Sequence, residues 1–482
     1  MLFTDSPACR VFYYFQEICG IPHGSGNTKE ISDYCVRFAK EHGLEYYQDE
    51  LNNVIIIREA APGYESHRPY VIQGHLDMVC EQEKGRNMDF ANEGLELYEE
   101  QGFLKARGTT LGADDGIAVA YMLALLEKED LKSPRIETVF TTEEETGMDG
   151  AKGIDLSPLQ GKDMLNLDSE EEGIFLCGCA GGLVGACNFD LAFRSEKGMS
   201  VNLTVGGLEG GHSGSEIDKE HGNAILLLGR VLRELENKCP LYLEKLKGGV
   251  KNNAIPREAK ASFLISPQDR DLCVEYAGEL ENTLKQEYKN TEKDLHILLE
   301  FKEVSVREVL EPQCQQRILD FLYLAPNGVQ HTNTDIRGLV ETSLNAGIME
   351  SDRQRFHISF SIRSSVKSRK ELVSRKLKCL AEALGGYYTA TGDYPAWEYR
   401  SQSPLRENMC SVYEELFGEK PQITVIHAGL ECGLFAEKIP DLDCVSFGPQ
   451  IDDIHTPREK LSIKSTEKIW EFLIRFLEKG NL

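Results

Sequence analysis

The sequence predicts an α/β catalytic domain with a mostly parallel central sheet, split by an inserted α+β domain. Three observations carry this reading. Short apolar strands alternate with helical segments up to about residue 183. Beyond Gly181-Gly182 the texture changes to two successive blocks of strands and helices. After Arg400 the first texture returns. The expected boundaries are 1–183 and 400–482 for the two parts of the catalytic domain and 184–399 for the insertion. A chain of 482 residues exceeds what one hydrophobic core sustains, which agrees with two domains.

Helical spacing of Val11, Phe12, Phe15 and Ile18, then of Ile31, Tyr34 and Phe38, predicts two helices around a Pro-His-Gly-Ser-Gly loop. Val54–Ile57 and Tyr70–Ile72 are apolar runs expected as buried strands. A helix follows to Lys128, opened by Asp114 or Asp115, with Asp115 the expected cap. Ile136–Thr142 and Asp163–Leu167 read as further strands.

In the insertion, Val201–Val205 and Ala261–Ile265 are expected strands, and Asn223–Leu235 and Asp271–Tyr288 are helices. A comparable set follows: His296–Phe301, Pro312–Leu324, Gly338–Ala346, Phe356–Arg363, Lys370–Leu384 and Tyr387–Thr391. The similar lengths suggest two related halves. The closing segment has helices at Glu407–Phe417 and Thr466–Leu477 and strands at Ile423–Ile426 and Asp443–Phe447.

Composition narrows the function. A net charge of −26 argues against nucleic acid, whose phosphates need a basic surface. No stretch approaches the roughly 18 uninterrupted apolar residues of a membrane helix. The start, Met1 to Pro7, lacks the basic-then-apolar pattern of a secretion signal. Fourteen dispersed cysteines without a CxxC pair point to free thiols in a reducing cytosol.

Five segments carry chemistry: Gly74-His75-Leu76-Asp77, Gly112-Ala113-Asp114-Asp115-Gly116, Thr142-Glu143-Glu144-Glu145-Thr146-Gly147, Leu167-Asp168-Ser169-Glu170 and Ile454-His455-Thr456-Pro457. Most place His, Asp or Glu just beyond an apolar run, and these donors suit zinc or manganese. His75 and Asp77, two apart at a strand end, point the same way, so Asp77 can orient the His75 ring. Asp114 can offer one oxygen to each of two ions, or cap a helix. Glu144 and Glu145 are two acids carried into the core by a strand, which demands compensating positive charge. One can ligate while the other accepts a proton. Two divalent ions against Asp114, Glu145, Asp168 and one bridging hydroxide sum to zero charge, with neutral His75 and His455 completing the set. There is no GxSxG elbow, no phosphate loop and no HExxH helix.

With these segments in this order, the chain resembles the aminoacyl-histidine (Xaa-His) dipeptidases of the di-zinc aminoacylase and carboxypeptidase clan. The resemblance runs from Glu17-Ile18-Cys19-Gly20-Ile21-Pro22-His23 to the His455 segment, and the His427-Ala428-Gly429-Leu430-Glu431-Cys432-Gly433 stretch is its most specific part. It implies a di-zinc exopeptidase-like catalytic domain and an inserted lid and dimerisation domain. It further implies His75 and Asp168 on one metal, Glu145 and His455 on the other, and Asp114 bridging. Asp77 would orient His75, Glu144 would be general base and then acid, and the Asp114–Asp115 peptide would be cis. Where the family has Asp-Glu-Glu-Ala-Gly, this chain has Glu143-Glu144-Glu145-Thr146-Gly147, which keeps both functional acids. Gly211-His212-Ser213-Gly214 resembles the segment whose His stabilises the oxyanion, often across a dimer. Asn253 and Arg363 are the implied clamps for the substrate carboxylate. His427 and Glu431 would shape the substrate end.

The expectation is a cytosolic, homodimeric two-metal dipeptidase acting on unblocked dipeptides, Xaa-His dipeptides among them, with zinc first and manganese or cobalt as alternatives. The rival readings are another clan hydrolase (tripeptidase, N-acyl amino acid deacylase or aminopeptidase) and a non-catalytic metal-binding interaction protein.

Overall fold

The computed structural model describes residues 3–334, 336 and 338–481. Met1 and Leu2, at the head of the segment read for a secretion signal, lie outside the described residues. The chain forms two compact units: Met1–Gly178 with Tyr399–Val425 and Leu430–Leu482, and Cys179–Glu398 with Ile426–Gly429.

The first unit is built on an eight-stranded sheet. Its centre is parallel: Ile136–Thr141, Tyr70–His75, Asp163–Asn166 and Asp443–Ser446 lie side by side in that order. Val54–Arg58 and Glu45–Gln48 extend it antiparallel on one edge, and Ile174–Cys179 joins antiparallel beside Asp443–Ser446. The central strands are buried along their whole length, as expected for a sheet covered on both faces. In register, His75 aligns with Thr141 and Gln73 with Asn166. Chain segments leaving the carboxyl ends of three adjacent parallel strands therefore emerge together, where α/β sheets bind ligands.

Helix Ala113–Glu127 is buried on every side from Ala113 to Leu126, which explains its near-continuous apolar sequence rather than an amphipathic one. Its first residues are irregular. Asp114 and Asp115 have non-helical backbone angles, and the Asp114–Asp115 peptide is cis. A small antiparallel sheet in the order Ile451–Asp452, Lys460–Ser462, Phe103–Ala106, Leu97–Glu100 carries the His455 loop between its first two strands.

The second unit holds a nine-stranded antiparallel sheet. Val201, Leu203 and Val205 are buried while Asn202 and Thr204 are half-buried, the alternation of a sheet with one face on its core. Helices Ala224–Glu236, Arg270–Glu287, Pro312–Leu324 and Lys367–Ala383 contribute their apolar residues to that core. The strand read as His296–Phe301 continues to Leu310, with Val304 and Val306 alternating with the polar Glu303, Ser305 and Arg307 on an exposed edge. Gly181–Asp190, whose glycines disguise it in sequence, is a ten-residue strand. Its neighbour Tyr388 packs where a Cβ on Gly185 would stand, 2.5 Å from the phenol oxygen.

Among the described residues no helix is long and apolar enough to cross a membrane. No disulfide joins any of the fourteen cysteines, most of which are buried.

Candidate metal centre and its surroundings

His75 ends the central strand, Glu144 and Glu145 follow the Ile136–Thr141 strand, and Asp168 follows Asp163–Asn166. Asp114 enters from the buried helix and His455 from the small sheet. The His75 Nε2 lies 3.1 Å from Asp114 Oδ1 and 3.7 Å from Asp168 Oδ1. The His455 Nε2 lies 3.0 Å from Asp114 Oδ2 and 2.9 Å from Glu145 Oε1. Asp114 thus sits between the two imidazoles, one carboxylate oxygen toward each. His75, Asp114 and Asp168 are buried, and His455 is half open to solvent.

Two sets of donor atoms could hold a metal ion, each with all atoms within 4.8 Å of one another: His75, Asp114 and Glu145, and His75, Asp115 and Asp168. The second contains a residue that sequence reasoning assigned to capping. Asp115 does not cap the helix. Its Oδ2 accepts the His75 backbone N–H at 3.1 Å, because the irregular turn at Asp114–Asp115 aims it at the strand instead. Gly74 permits this approach, since a Cβ there would stand 2.5 Å from the same oxygen.

The electrostatics are those of a cluster that attracts cations. Burial, reinforced by Asp115, pushes the Asp168 carboxyl well above the carboxylate range. Burial alone would lower His75, but Asp114, Asp77 and Asp168 outweigh it and hold the ring well above its ordinary value. Hydrogen bonds to Asp114 and Glu145 push His455 up to about 10. Burial pushes Glu144 up to about 8, with Glu431, Glu145 and Asp114 adding to it and His75 opposing. Among the described residues, no lysine or arginine forms an ion pair with Asp114, Glu145 or Asp168. Beyond the His455 ring at 2.9 Å, the buried Glu145 Oε1 has no other donor. Buried acids in this state call for positive charge, and a mixed imidazole and carboxylate set suits zinc or manganese.

Asp77 is 1% exposed. The His75 Nδ1 meets the Asp77 backbone oxygen at 2.9 Å, with the carboxylate farther away at 3.6 Å. That carboxylate instead accepts from Ser25 Oγ at 2.8 Å, Glu144 N at 3.0 Å and Glu145 N at 3.4 Å. It therefore fixes the turn carrying the two glutamates as well as facing the ring. Glu431 is fully buried, and its Oε2 accepts from Gln73 Nε2 at 2.5 Å and Thr141 Oγ1 at 2.6 Å.

In the second unit, His212 pairs with Ala254 in a two-stranded ladder, and Ser213 N donates to Asn253 O at 2.9 Å. Gly214 N and Ser215 N both donate to His212 Nδ1, at 3.3 and 3.2 Å. A nitrogen that accepts from backbone N–H groups carries no proton, so the neutral ring holds its proton on Nε2. Burial and the Arg363 charge lower the His212 pKa, which favours that neutral form. The loop is closed at its neck by Glu292, 1% exposed, which accepts from Glu209 N and Gly222 N, both at 2.7 Å. Nothing in the sequence marks Glu292, because its hydrogen-bond donors are backbone groups; the His221 ring lies 3.4 Å away.

Arg363 touches the Tyr394 hydroxyl at 3.3 Å, its Nε has no acceptor, and among the described residues it forms no ion pair. His427 Nε2 bonds Ser343 Oγ at 2.8 Å. Asn253 itself is exposed.

The sequence model of Peptidase family M20/M25/M40 matches residues 71–479. The chain belongs to this family. Over 467 residues it is 37% identical to the cytosol non-specific dipeptidase of Escherichia coli (strain K12), covering 96% of each protein. An aminoacylhistidine dipeptidase structure from Vibrio alginolyticus superimposes with a TM-score of 0.94 at 36% identity, covering 100% of this chain and 98% of that one. A tripeptidase structure from Staphylococcus aureus shares only the fold, with a TM-score of 0.56 at 15% identity over 98% of each chain. Family membership makes this chain a peptide hydrolase by descent.

Proposed function

We propose that this family member is a two-metal dipeptidase that cleaves the peptide bond of unblocked dipeptides, with those ending in histidine among its substrates. The observation that carries the reading is the convergence of His75, Asp114, Glu145, Asp168 and His455 on one another, with Glu144 beside them. The whole-length likeness to dipeptidases from two bacteria supports the substrate class.

His75 and Asp168 would hold one ion, Glu145 and His455 the other, with Asp114 shared. Asp115 stands beside the first set as a further donor. When bound, two divalent ions supply Lewis-acid polarisation of the scissile carbonyl and acidify the attacking water. Glu144 takes the proton from that water on a carboxylate oxygen and delivers it to the leaving amine nitrogen. Its upward-shifted pKa suits the second task, and the charge of bound ions would favour the ionised form that the first requires. Asp77 holds the backbone of Glu144 and Glu145 in place while orienting His75.

To His212 of the second unit we assign a hydrogen bond from Nε2–H to the oxyanion, which its tautomer supports. Arg363, with no ion-pair partner of its own among the described residues, and Asn253 are assigned to the substrate carboxylate. His427 and Glu431 are assigned to shaping the substrate end. Residues 184–399 are proposed as a lid and dimerisation domain inserted in a cytosolic catalytic domain, and zinc as the metal.

The test is a panel of dipeptides, tripeptides and N-acyl amino acids with and without chelator. Chelator-sensitive cleavage confined to dipeptides, lost in Glu144→Gln, is the expected result. Preference for tripeptides or N-acyl amino acids transfers the chain to a sister activity. Glu144→Gln cleaving at the parent rate overturns the proton-transfer assignment.

A further inference from the structure

Glu459 is 3% exposed and has no cationic partner among the described residues. Its two oxygens are occupied by four consecutive backbone N–H groups. Oε2 accepts from Leu111 at 2.8 Å and Gly112 at 3.2 Å, and Oε1 accepts from Ala113 at 2.8 Å and Asp114 at 3.4 Å. Four successive amides can converge on one anion only if the chain turns back on itself. Gly112 allows this with φ of +66°, where a Cβ would also meet Met78 Sδ at 2.7 Å. The result is a backbone nest at the positive end of a buried helix, filled by the protein's own carboxylate.

The position of that carboxylate links two elements. Its own N–H donates to Thr456 O at 3.0 Å, closing a tight turn over Thr456–Glu459 that directly follows His455, whose φ is +58°. The turn is stiffened by the Arg458 N–H to Thr456 Oγ1 bond at 3.1 Å. One end of this turn thus presents the His455 imidazole to Asp114 Oδ2 at 3.0 Å, and the other end grips the peptide N–H of Asp114 itself. His455 and Asp114 lie 341 positions apart in sequence.

We propose that Glu459 is the positioning residue that locks the His455 loop onto the Asp114 turn and so sets the spacing of the metal-binding groups. The proposal rests on the two-metal reading of that cluster. In Glu459→Gln the amide NH2 faces two N–H groups that need acceptors, so the nest opens. Glu459→Asp keeps the charge but withdraws both oxygens by one methylene, and so separates position from electrostatics.

The experiment titrates chelator-stripped protein with zinc chloride by calorimetry and follows amide exchange of residues 111–114 in the same metal-free samples. The parent is expected to take up zinc with those amides protected. Both variants should bind zinc roughly 10- to 100-fold more weakly, the scale of lost outer-shell support, and both should lose protection at 111–114. Zinc affinity within twofold of the parent in both variants, or unchanged amide protection, overturns the proposal. Weakening in Glu459→Gln alone also overturns it, since charge rather than position would then be responsible. If the Gln variant does not fold, the Asp variant decides both readouts. A parent that takes up no zinc defeats the metal reading, while the exchange data still decide whether the lock exists.

Discussion

Asp77→Asn is the substitution most sharply constrained by the site. The native carboxylate, 1% exposed, accepts from Ser25 Oγ and Glu145 N on one oxygen and from Glu144 N on the other. An asparagine offers one oxygen and one NH2 group. If the oxygen stays with Glu144, the NH2 opposes the Glu145 N–H; if it flips, the Glu144 N–H is left without an acceptor. Either way a buried donor goes unpaired, at a cost of about 1–3 kcal/mol. The carboxylate is also held below its ordinary pKa, because the His75 ring, the Ser25 hydroxyl and the Glu144 N–H outweigh the upward push of burial. Its charge is therefore present across the neutral range and is lost in the variant. The loosened turn carries Glu144 and Glu145. If the same free energy appears in the barrier, kcat falls roughly 5- to 150-fold, at about 1.4 kcal/mol per tenfold. Steady-state kinetics on a dipeptide and urea melts would be run on Asp77→Asn beside Ser25→Ala. The latter removes a donor and leaves both amides paired, so it should stay within about twofold of the parent in kcat. Parent-like kcat and stability in Asp77→Asn would refute the turn-holding role.

Two further outcomes are expected. Burial, with the Arg363 charge adding, lowers His427 to about 4. The unfolded chain therefore binds the extra proton between about pH 6.5 and 4, so this group's stabilisation is full above pH 6.5 and is lost as pH falls through that window. Between pH 7 and pH 4.5 the loss is about 2 kcal/mol, and in urea melts at those two values His427→Gln should lose that much less than the parent; equal losses would contradict it. Glu292→Gln leaves the Glu209 or Gly222 N–H without an acceptor, so exchange should quicken at the ends of the 209–222 loop and kcat should fall more than KM changes. Unchanged exchange there would show that the loop is held by other contacts.

How far these roles were readable in the chain depends on the kind of partner each side chain has. Of the proposed ligands, His75, Glu145 and Asp168 stand out in the chain because each lies at or just beyond the end of a buried apolar strand, where a charged or imidazole group must be used or neutralised. Pro312–Leu324 was legible to the residue because its helical stripe is regular and Pro312 can begin a helix. Gly181–Asp190 was not, since four small residues in its first six erase the period-two signal, and it is specified by Tyr388 and Arg355–Ser364 packing against it. Asp115 was misread for a related reason. Capping is the commonest fate of an aspartate at a helix start, and only the irregular backbone at Asp114–Asp115 redirects it to the His75 N–H.

Glu459 and Glu292 share a deeper reason for being invisible. Each is a buried acid whose hydrogen-bond donors are peptide N–H groups, contributed by residues hundreds of positions away in one case and on both sides of a loop, with the His221 ring 3.4 Å off, in the other. Main-chain donors have no letter in the sequence, so no motif can announce them. The ligand-type residues are thus written in side chains, while the geometry that makes them a site is written in carboxylates that grip backbone. The same division predicts where substitution is tolerated: exchanging Glu143 for the family's Asp leaves both functional acids intact, whereas an isosteric amide at Glu459 changes no ligand and still moves one.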